Sequence, residues 1–173
     1  MSVVVGVIRD GVAVIASDTA RFVGNVRTVG GAKYHIVGSY AVGYTGTMKW
    51  GEFVRSLDDG LAVEQIAESW HMWAAERSHG KQDAEGDHCL SGELLVVSPH
   101  GLWRIGPDCG VARVLDGYAA IGSGAPTAYG AMCAAPALPA WDVAQKAIGA
   151  CVRHHVWCGG EMALATIGGG EVG

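Results

Sequence analysis

The beginning of the chain consists of two apolar runs around one polar turn, which predicts a buried β-hairpin. The runs are residues 3–8 and 12–16, and both are rich in β-branched side chains. Asp10 and Gly11 between them are a residue pair typical of two-residue hairpin turns. We therefore expect the second strand to return to the start of the chain.

The register of this hairpin brings an acidic residue close to the chain start. Arg9 faces Val12 across the predicted turn. Counting back along both strands places Asp18 opposite Val3. Asp18 is therefore expected beside Ser2, within one step of the register.

A second hairpin is predicted between residues 33 and 45. Residues 33–37 and 40–45 are the strand candidates, and Gly38 and Ser39 form the turn. This register brings Lys33 close to Gly46. The two hairpins together carry an acid, a lysine and a glycine toward sheet ends.

The remaining pattern of apolar positions predicts two helix pairs and further strands. The predicted helices are residues 48–57, 62–77, 126–134 and 141–155. The predicted strands are residues 93–98, 102–106, 111–115, 118–121 and 162–167. Residues 78–92 are polar and are predicted to form a solvated loop.

The order of these elements predicts the fold class. Strands, two helices, strands, two helices and a last strand suit an α+β protein with two antiparallel sheets packed face to face. A helix pair then covers each outer face, which gives a four-layer αββα sandwich. Neither a linker nor an internal repeat interrupts the pattern, so residues 1–173 are predicted to form one domain.

Composition narrows the classes of partner and the compartment. Half of the 173 residues are hydrophobic, 17% are charged, and the net charge is −5, which gives no electrostatic reason to expect nucleic acid or an anionic membrane. We find neither a signal-peptide pattern nor an apolar stretch long enough to cross a bilayer. The five cysteines form no CxxC pair, so we expect free thiols in a reducing cytoplasm.

Ser2 is a candidate nucleophile whose base would be its own α-amine, provided that Met1 is removed. An α-amine has a lower pKa than a lysine side chain, so a part of it is neutral near neutral pH. The ammonium of Lys33 would lower the pKa of both the amine and the hydroxyl. Asp18 would hold that ammonium in place, and the amide of Gly46 would stabilise an oxyanion. Taken singly, each residue also suits a turn, a cap or a solvated edge; the joint spacing favours the site.

The segment SVVVGVIRDGVAVIASD, which opens at Ser2, resembles the start of mature proteasome β-subunits and of HslV, the bacterial peptidase that works with a ring ATPase. Those enzymes begin with a nucleophilic Thr and continue through an apolar hairpin that ends in Asp, at the interval that separates Ser2 from Asp18. Lys33 in GGAKYHIVG matches the family lysine. GYTGT places Gly46 at the oxyanion-hole glycine, and IGSGAP points to Ser123 as the serine that bonds near the nucleophile's amine.

This resemblance covers nearly the whole chain and implies an N-terminal nucleophile hydrolase that cleaves polypeptides. It implies that the catalytic residues are Ser2, Asp18, Lys33, Gly46 and Ser123. It implies a homo-oligomeric double ring with six or seven subunits per ring and leaves a ring ATPase open as a partner. No cofactor is implied. Some members bind a structural monovalent cation at the end of the last helix, which stays open here.

Three features depart from the family pattern. The nucleophile is Ser2 and not Thr, so the methyl that fixes the side-chain rotamer is absent. His155 stands where proteasome subunits carry an Asp that orients the amine. Met1 alone precedes Ser2, and we expect its removal because serine is small. A retained Met1 would turn the amine into a peptide nitrogen that cannot act as a base.

Alternative functions stay open at this stage. One is a catalytically inactive ring or scaffold protein of the same fold, and another is an N-terminal nucleophile amidohydrolase that acts on a small amide. A zinc site is not favoured, because His154 and His155 point about 100° apart on a helix. Candidate residues that line the substrate pocket are Ala20, Arg21 and Thr45.

Overall fold

The computed structural model describes residues 2–24, 26–82 and 88–168. The helices in these ranges are α1 (Lys49–Arg55), α2 (Val63–Glu76), α3 (Ala125–Cys133) and α4 (Ala140–His154). The strands are β1 (Val4–Arg9), β2 (Val12–Asp18), β3 (Ala20–Val23), β4 (Val26–Val29), β5 (Tyr34–Val37), β6 (Tyr40–Tyr44), β7 (Lys81–Gln82), β8 (His88–Cys89), β9 (Leu94–Ser98), β10 (Gly101–Ile105), β11 (Val111–Val114), β12 (Tyr118–Ile121) and β13 (Met162–Ile167).

Two antiparallel sheets form the centre of the molecule. The first, which we call sheet I, has the strand order β12-β1-β2-β13, and the second, sheet II, has the order β11-β10-β9-β6-β5. The helices and antiparallel sheets confirm the predicted α+β class. Each of the four predicted helices is present, with ends that differ from the predicted ones by no more than two residues.

The first hairpin has the register that the sequence predicts. Arg9 pairs with Val12 across the turn. At the far end, the backbone N–H of Asp18 donates to the carbonyl of Val3 over 3.3 Å. Asp10 adopts a φ of 51° in the turn, a value that Asp tolerates better than most side chains. The acid therefore lies next to the chain start, as predicted.

The second hairpin also forms as predicted. Tyr34 of β5 pairs with Gly43 of β6, and the N–H of Tyr44 donates to the carbonyl of Lys33 over 2.9 Å. Lys33 therefore lies immediately before β5, opposite the end of β6. Gly46 follows two residues after β6 ends.

Two short ladders were missed by the sequence analysis. Strands β3 and β4 pair with each other in a small separate sheet, and three of their valines, Val23, Val26 and Val29, are about two-thirds exposed. The exposure explains the miss, because burial on one face is what makes a strand visible in a sequence. The prediction of a loop over residues 78–92 was wrong where β7 pairs with β8; residues 83–87 of that loop lie outside the described residues.

The buried apolar side chains form three clusters. One cluster joins sheet I to helices α3 and α4 and includes Val5 and Ile148. A second joins residues of sheet I, such as Ile15, to residues of sheet II, such as Leu95. The third joins sheet II to helices α1 and α2 and includes Trp70. Neighbouring residues of β1 alternate between two clusters because successive side chains point to opposite faces of a strand.

Among the helices of the described residues, none is long and apolar enough to cross a membrane.

Candidate active site

The predicted site residues lie at the ends of strands from both sheets. Ser2 precedes β1, Asp18 ends β2, and Ser123 follows β12, all in sheet I. Val4 pairs with both Ser17 and Ile121, so the antiparallel register brings these three ends together. Lys33 and Gly46 come from the hairpin of sheet II.

A buried ion pair connects the two sheets at this point. The ammonium Nζ of Lys33 lies 2.6 Å from Oδ1 of Asp18. Asp18 is 0% exposed and Lys33 is 6% exposed. The carboxylate also accepts the N–H of Val3 at Oδ1 over 3.0 Å and the N–H of Gly159 at Oδ2 over 3.2 Å. Both oxygens of Asp18 are therefore hydrogen-bonded, as a buried carboxylate requires.

The electrostatic environment of Lys33 is a balance of opposing effects. Burial lowers the pKa of Lys33 below its ordinary value of 10.5, because it penalises the charged form. The charge of Asp18 and its hydrogen bond raise the pKa and offset a part of that effect, and the charge of Arg21 lowers it slightly further. The pKa of this ammonium is therefore lower than that of an exposed lysine, and Asp18 is what favours its charged form.

Ser2 is held by the turn that follows β12. Its backbone N lies 3.2 Å from Oγ of Ser123, and its carbonyl accepts the N–H of Gly124 over 3.2 Å. Oγ of Ser123 lies within 3.3 Å of the same carbonyl as a donor. Ser2 is 4% exposed. Ser123 therefore contacts the nitrogen of Ser2, where the resemblance expects it.

Gly46 adopts a backbone conformation that few other residues tolerate. Its φ is +99°, and a Cβ at this position would lie 2.1 Å from the carbonyl oxygen of Ser91. The carbonyl of Ser91 also accepts the indole N–H of Trp50 over 2.6 Å. The turn at Gly46 is thus fixed by close packing against residues 91 and 92, and a glycine is required there.

An open cavity lies in front of these residues. Ser2, Lys33 and Gly46 line it, while Asp18 and Ser123 contact Lys33 and Ser2 from outside the lining. The other lining residues are Ala20, Arg21, Phe22, Tyr44, Thr45, Thr47 and Met48. The three pocket residues predicted from the sequence thus all line the cavity, and Phe22, Tyr44, Thr47 and Met48 were missed.

Comparison with solved structures places this architecture among known folds. BPH from Thiobacillus denitrificans aligns with a TM-score of 0.81 and 26% identity, over 95% of this chain and 97% of BPH. Its complex with epoxomicin aligns with a TM-score of 0.79 and 24% identity over the same shares. HslV from Trypanosoma brucei aligns with a TM-score of 0.73 and 19% identity, over 95% of this chain and 98% of HslV.

The chain has the fold of the proteasome-like N-terminal nucleophile hydrolases. The resemblance stated from the opening hairpin and the IGSG segment is therefore confirmed. No family model matches the sequence, and no curated protein matches it. The similarity is consequently one of structure, and in the sequence only a few short motifs indicate it.

One residue at the site of this proteasome-like chain was not found from the sequence. Oε2 of Glu93 accepts the N–H of Gly122 over 3.2 Å, and its backbone carbonyl accepts the N–H of Thr45 over 3.0 Å. Its carboxylate also pairs with Arg104. Glu93 thereby joins the turn before Ser123 to the strand end before Gly46. A glutamate at a strand start carries no sequence pattern that distinguishes this role.

His155, which stands in place of the proteasome aspartate, is the C-cap residue of helix α4. Its N–H donates to the carbonyl of Cys151 over 2.9 Å, and its Nδ1 lies 3.3 Å from the N–H of Trp157 and 3.6 Å from Sγ of Cys158. His155 therefore stabilises the turn that leads to Gly159. Within the described ranges, no group of three His, Cys, Asp or Glu side chains is arranged to hold a metal ion.

Proposed function

We propose that this chain is a proteasome-type peptidase whose nucleophile is Ser2. The observation that carries the proposal is the buried Lys33–Asp18 pair, at 2.6 Å, beside a serine that lines the same cavity as Lys33. An ion pair this deeply buried is weak evidence for stability, because desolvation offsets most of the attraction between the charges. Its position beside a candidate nucleophile is typical of catalytic sites, where charges tune neighbouring pKa values.

The proposed reaction is acyl transfer to serine followed by hydrolysis. Oγ of Ser2 attacks the peptide carbonyl, and its proton moves to the free α-amine of the same residue. The amine then gives this proton to the departing amine of the substrate, which leaves an ester on Ser2. Water attacks the ester, and the hydroxyl regains its proton. The N–H of Gly46 is the proposed donor to the oxyanion.

The other predicted residues support this proton transfer. The ammonium of Lys33 favours the neutral amine and the ionised hydroxyl, and Asp18 keeps that ammonium charged. Ser123 lies 3.2 Å from the nitrogen that acts as the base. The mechanism requires the removal of Met1, which lies outside the described residues.

We propose that the fold is the four-layer αββα sandwich predicted from the element order, formed by one domain. Its support is the set of three apolar clusters: one lies between the two sheets, and one lies between each sheet and its helices. By analogy with HslV, we propose a cytoplasmic double ring of six or seven subunits per ring that receives polypeptides, with a ring ATPase as a candidate partner.

Intact mass and peptide hydrolysis test the catalytic proposal together. The purified chain is expected to lack the mass of Met1 and to cleave fluorogenic peptides. Because epoxomicin is the ligand of a BPH structure with this fold, it serves as the probe and is expected to add its mass to residue 2.

Ser2→Ala should abolish both hydrolysis and labelling while the protein stays folded, and Ser2→Thr should keep both. Undiminished hydrolysis by Ser2→Ala would reject the assignment. A retained Met1 with no labelling would favour the inactive ring protein. The observation that favours this second hypothesis is His155, which stands where proteasome subunits carry an aspartate. Cleavage of small amides without cleavage of peptides would favour the amidohydrolase.

A further inference from the structure

A second cation lies on the cavity wall beside Lys33. Arg21 belongs to β3 and lines the same cavity as Ser2. Its guanidinium Nη1 donates to Sδ of Met48 over 3.2 Å. A thioether sulfur is a weak acceptor, whereas a guanidinium has five N–H donors. Most of the hydrogen-bonding capacity of this side chain is therefore unused by that contact.

The charge of Arg21 is not paired with a carboxylate within residues 2–24, 26–82 and 88–168. The ion pairs found in these ranges join Lys33 to Asp18, Arg77 to Glu76 and Arg104 to Glu93. Lys33, the other cation of the cavity, is thus already paired. The cavity wall consequently carries one positive charge that has no counter-ion among the described residues.

The backbone around Arg21 makes room for its side chain at this place. A Cβ at Gly30 would lie 2.1 Å from Nε of Arg21, so the guanidinium packs over a residue that has no side chain. Arg21 pairs with Thr28 in the β3–β4 ladder, and the N–H of Gly30 donates to the carbonyl of Thr19 over 2.8 Å. The half-buried arginine is therefore held against the cavity by Gly30 on one side and Met48 on the other.

The lining of the cavity suits an anionic group with a short apolar stem. None of the lining residues is an aspartate or a glutamate, and the half-exposed Met48 offers apolar surface beside Arg21. The charge of Arg21 is also felt at Lys33, where it opposes the ammonium. A carboxylate next to Arg21 would remove that repulsion and form two parallel hydrogen bonds with the guanidinium.

We propose that the cavity binds an acidic side chain, Glu or Asp, of the substrate residue whose carbonyl Ser2 attacks, and that Arg21 is its partner. This inference rests on the proposed peptidase function and names its substrate class. The methylenes of the acidic side chain pack against Met48. The carboxylate meets Arg21, because a planar guanidinium matches a carboxylate better than an ammonium does.

Four fluorogenic peptides that differ only at this residue test the inference. They carry Glu, Gln, Leu or Lys at the residue whose carbonyl is attacked. Gln is the uncharged isostere of Glu. The wild-type protein is expected to cleave the Glu peptide with a kcat/KM at least about tenfold above that of the Gln peptide, equivalent to about 1.4 kcal/mol. The Lys peptide should be the poorest substrate, since its charge repels both cations.

Two substitutions and a control assign the preference to one side chain. Arg21→Met keeps a long apolar stem, and the Glu-to-Gln ratio should fall to about one. Arg21→Glu should make the Lys peptide better than the Glu peptide. Arg153→Met removes an exposed arginine in the last turn of α4 and should leave all ratios unchanged.

The outcomes separate this inference from the peptidase proposal. Equal cleavage of the Glu and Gln peptides, with epoxomicin labelling intact, overturns the acidic preference and leaves the peptidase standing. A Glu preference that survives both Arg21 substitutions also overturns it. Absence of hydrolysis of all four peptides, together with absence of labelling, overturns both proposals.

Discussion

The two walls of the cavity differ in how firmly their side chains are held. On one wall, Ser2 and Lys33 are 4% and 6% exposed, and Asp18 behind them is fully buried with both oxygens bonded. On the other wall, Arg21 is half-buried and Met48 is 53% exposed. The first wall has the fixed geometry that proton transfer requires. The second keeps unused donors and exposed apolar surface, which suit recognition of a substrate side chain.

The difference between the walls follows from the cost of burying charge. A buried charge needs partners for its whole hydrogen-bonding capacity, so Asp18 collects N–H groups from Val3 and Gly159 as well as the ammonium of Lys33. A half-exposed charge such as that of Arg21 can use water, so the fold does not have to supply a partner. The wall formed by Ser2 and Lys33, which we call the firm wall, is therefore sensitive to single substitutions. In the wall formed by Arg21 and Met48, which we call the open wall, substitutions should change substrate selectivity before they change stability.

The largest effect is expected from breaking the buried pair with Lys33→Met. The carboxylate of Asp18 then stays buried without its counter-ion, and the free energy of unfolding should fall by about 3–5 kcal/mol. Hydrolysis should fall by more than about a hundredfold, because the amine of Ser2 loses the charge that tunes it as a base. Urea unfolding and peptide kinetics measure the two effects.

The matched control is Glu76→Gln, which breaks the exposed ion pair with Arg77. It should change the free energy of unfolding by less than about 1 kcal/mol and leave hydrolysis unchanged. The double variant Asp18→Asn with Lys33→Met should recover a part of the stability, since the unpaired charge is removed, without recovering activity. If Lys33→Met is as stable as Glu76→Gln, the contrast between the walls is wrong.

A smaller effect is expected from Gly46→Ala. The new methyl would meet the carbonyl of Ser91, and the left-handed φ adds strain, so the turn must shift. We expect a loss of about 2–3 kcal/mol in the free energy of unfolding, and a fall in kcat of about ten- to a hundredfold as the oxyanion donor moves.

Gly11→Ala is the control that distinguishes the effect of backbone strain from the effect of moving the oxyanion donor. Gly11 also has a positive φ, +76°, but a Cβ there meets no atom within 4 Å. It should destabilise the protein by about 1–2 kcal/mol and leave kcat unchanged. A kcat for Gly46→Ala equal to that for Gly11→Ala would show that the turn at Gly46 does not contribute to the reaction.

The smallest effect is a shift in the alkaline limb of the pH profile. The reaction needs Lys33 in its charged form, so activity should fall as pH rises through the pKa of Lys33, which burial lowers below 10.5. Arg21 lowers this pKa further, so Arg21→Met should raise it and move the alkaline limb to higher pH.

The kcat/KM of the Leu peptide, measured from neutral to alkaline pH, tests this shift without the charge of the substrate side chain. Arg153→Met should reproduce the wild-type limb. A limb that moves to lower pH in Arg21→Met would contradict the direction of the coupling between the two walls.

The firm wall was largely predictable from the sequence, and the open wall was not. Asp18 follows from counting along a hairpin whose turn, Asp10-Gly11, is local and specific. Arg21 and Thr45 could be named as pocket candidates, but the ladder that carries Arg21 was missed because the valines around it are exposed. Met48 and Phe22 had no pattern that linked them to the site.

The sequence by itself determined the α+β class, the two hairpins and the residues that the hairpin registers bring to the strand ends. These features depend on short-range periodicity and on turn residues, which act within a few positions along the chain. The tertiary structure decided the contacts between distant segments: Gly159 with Asp18, Glu93 with Gly122, and Met48 with Arg21. Such contacts depend on how the sheets pack. No local sequence pattern encodes which distant atom becomes the partner of a buried charge, or which exposed charge the fold leaves to water.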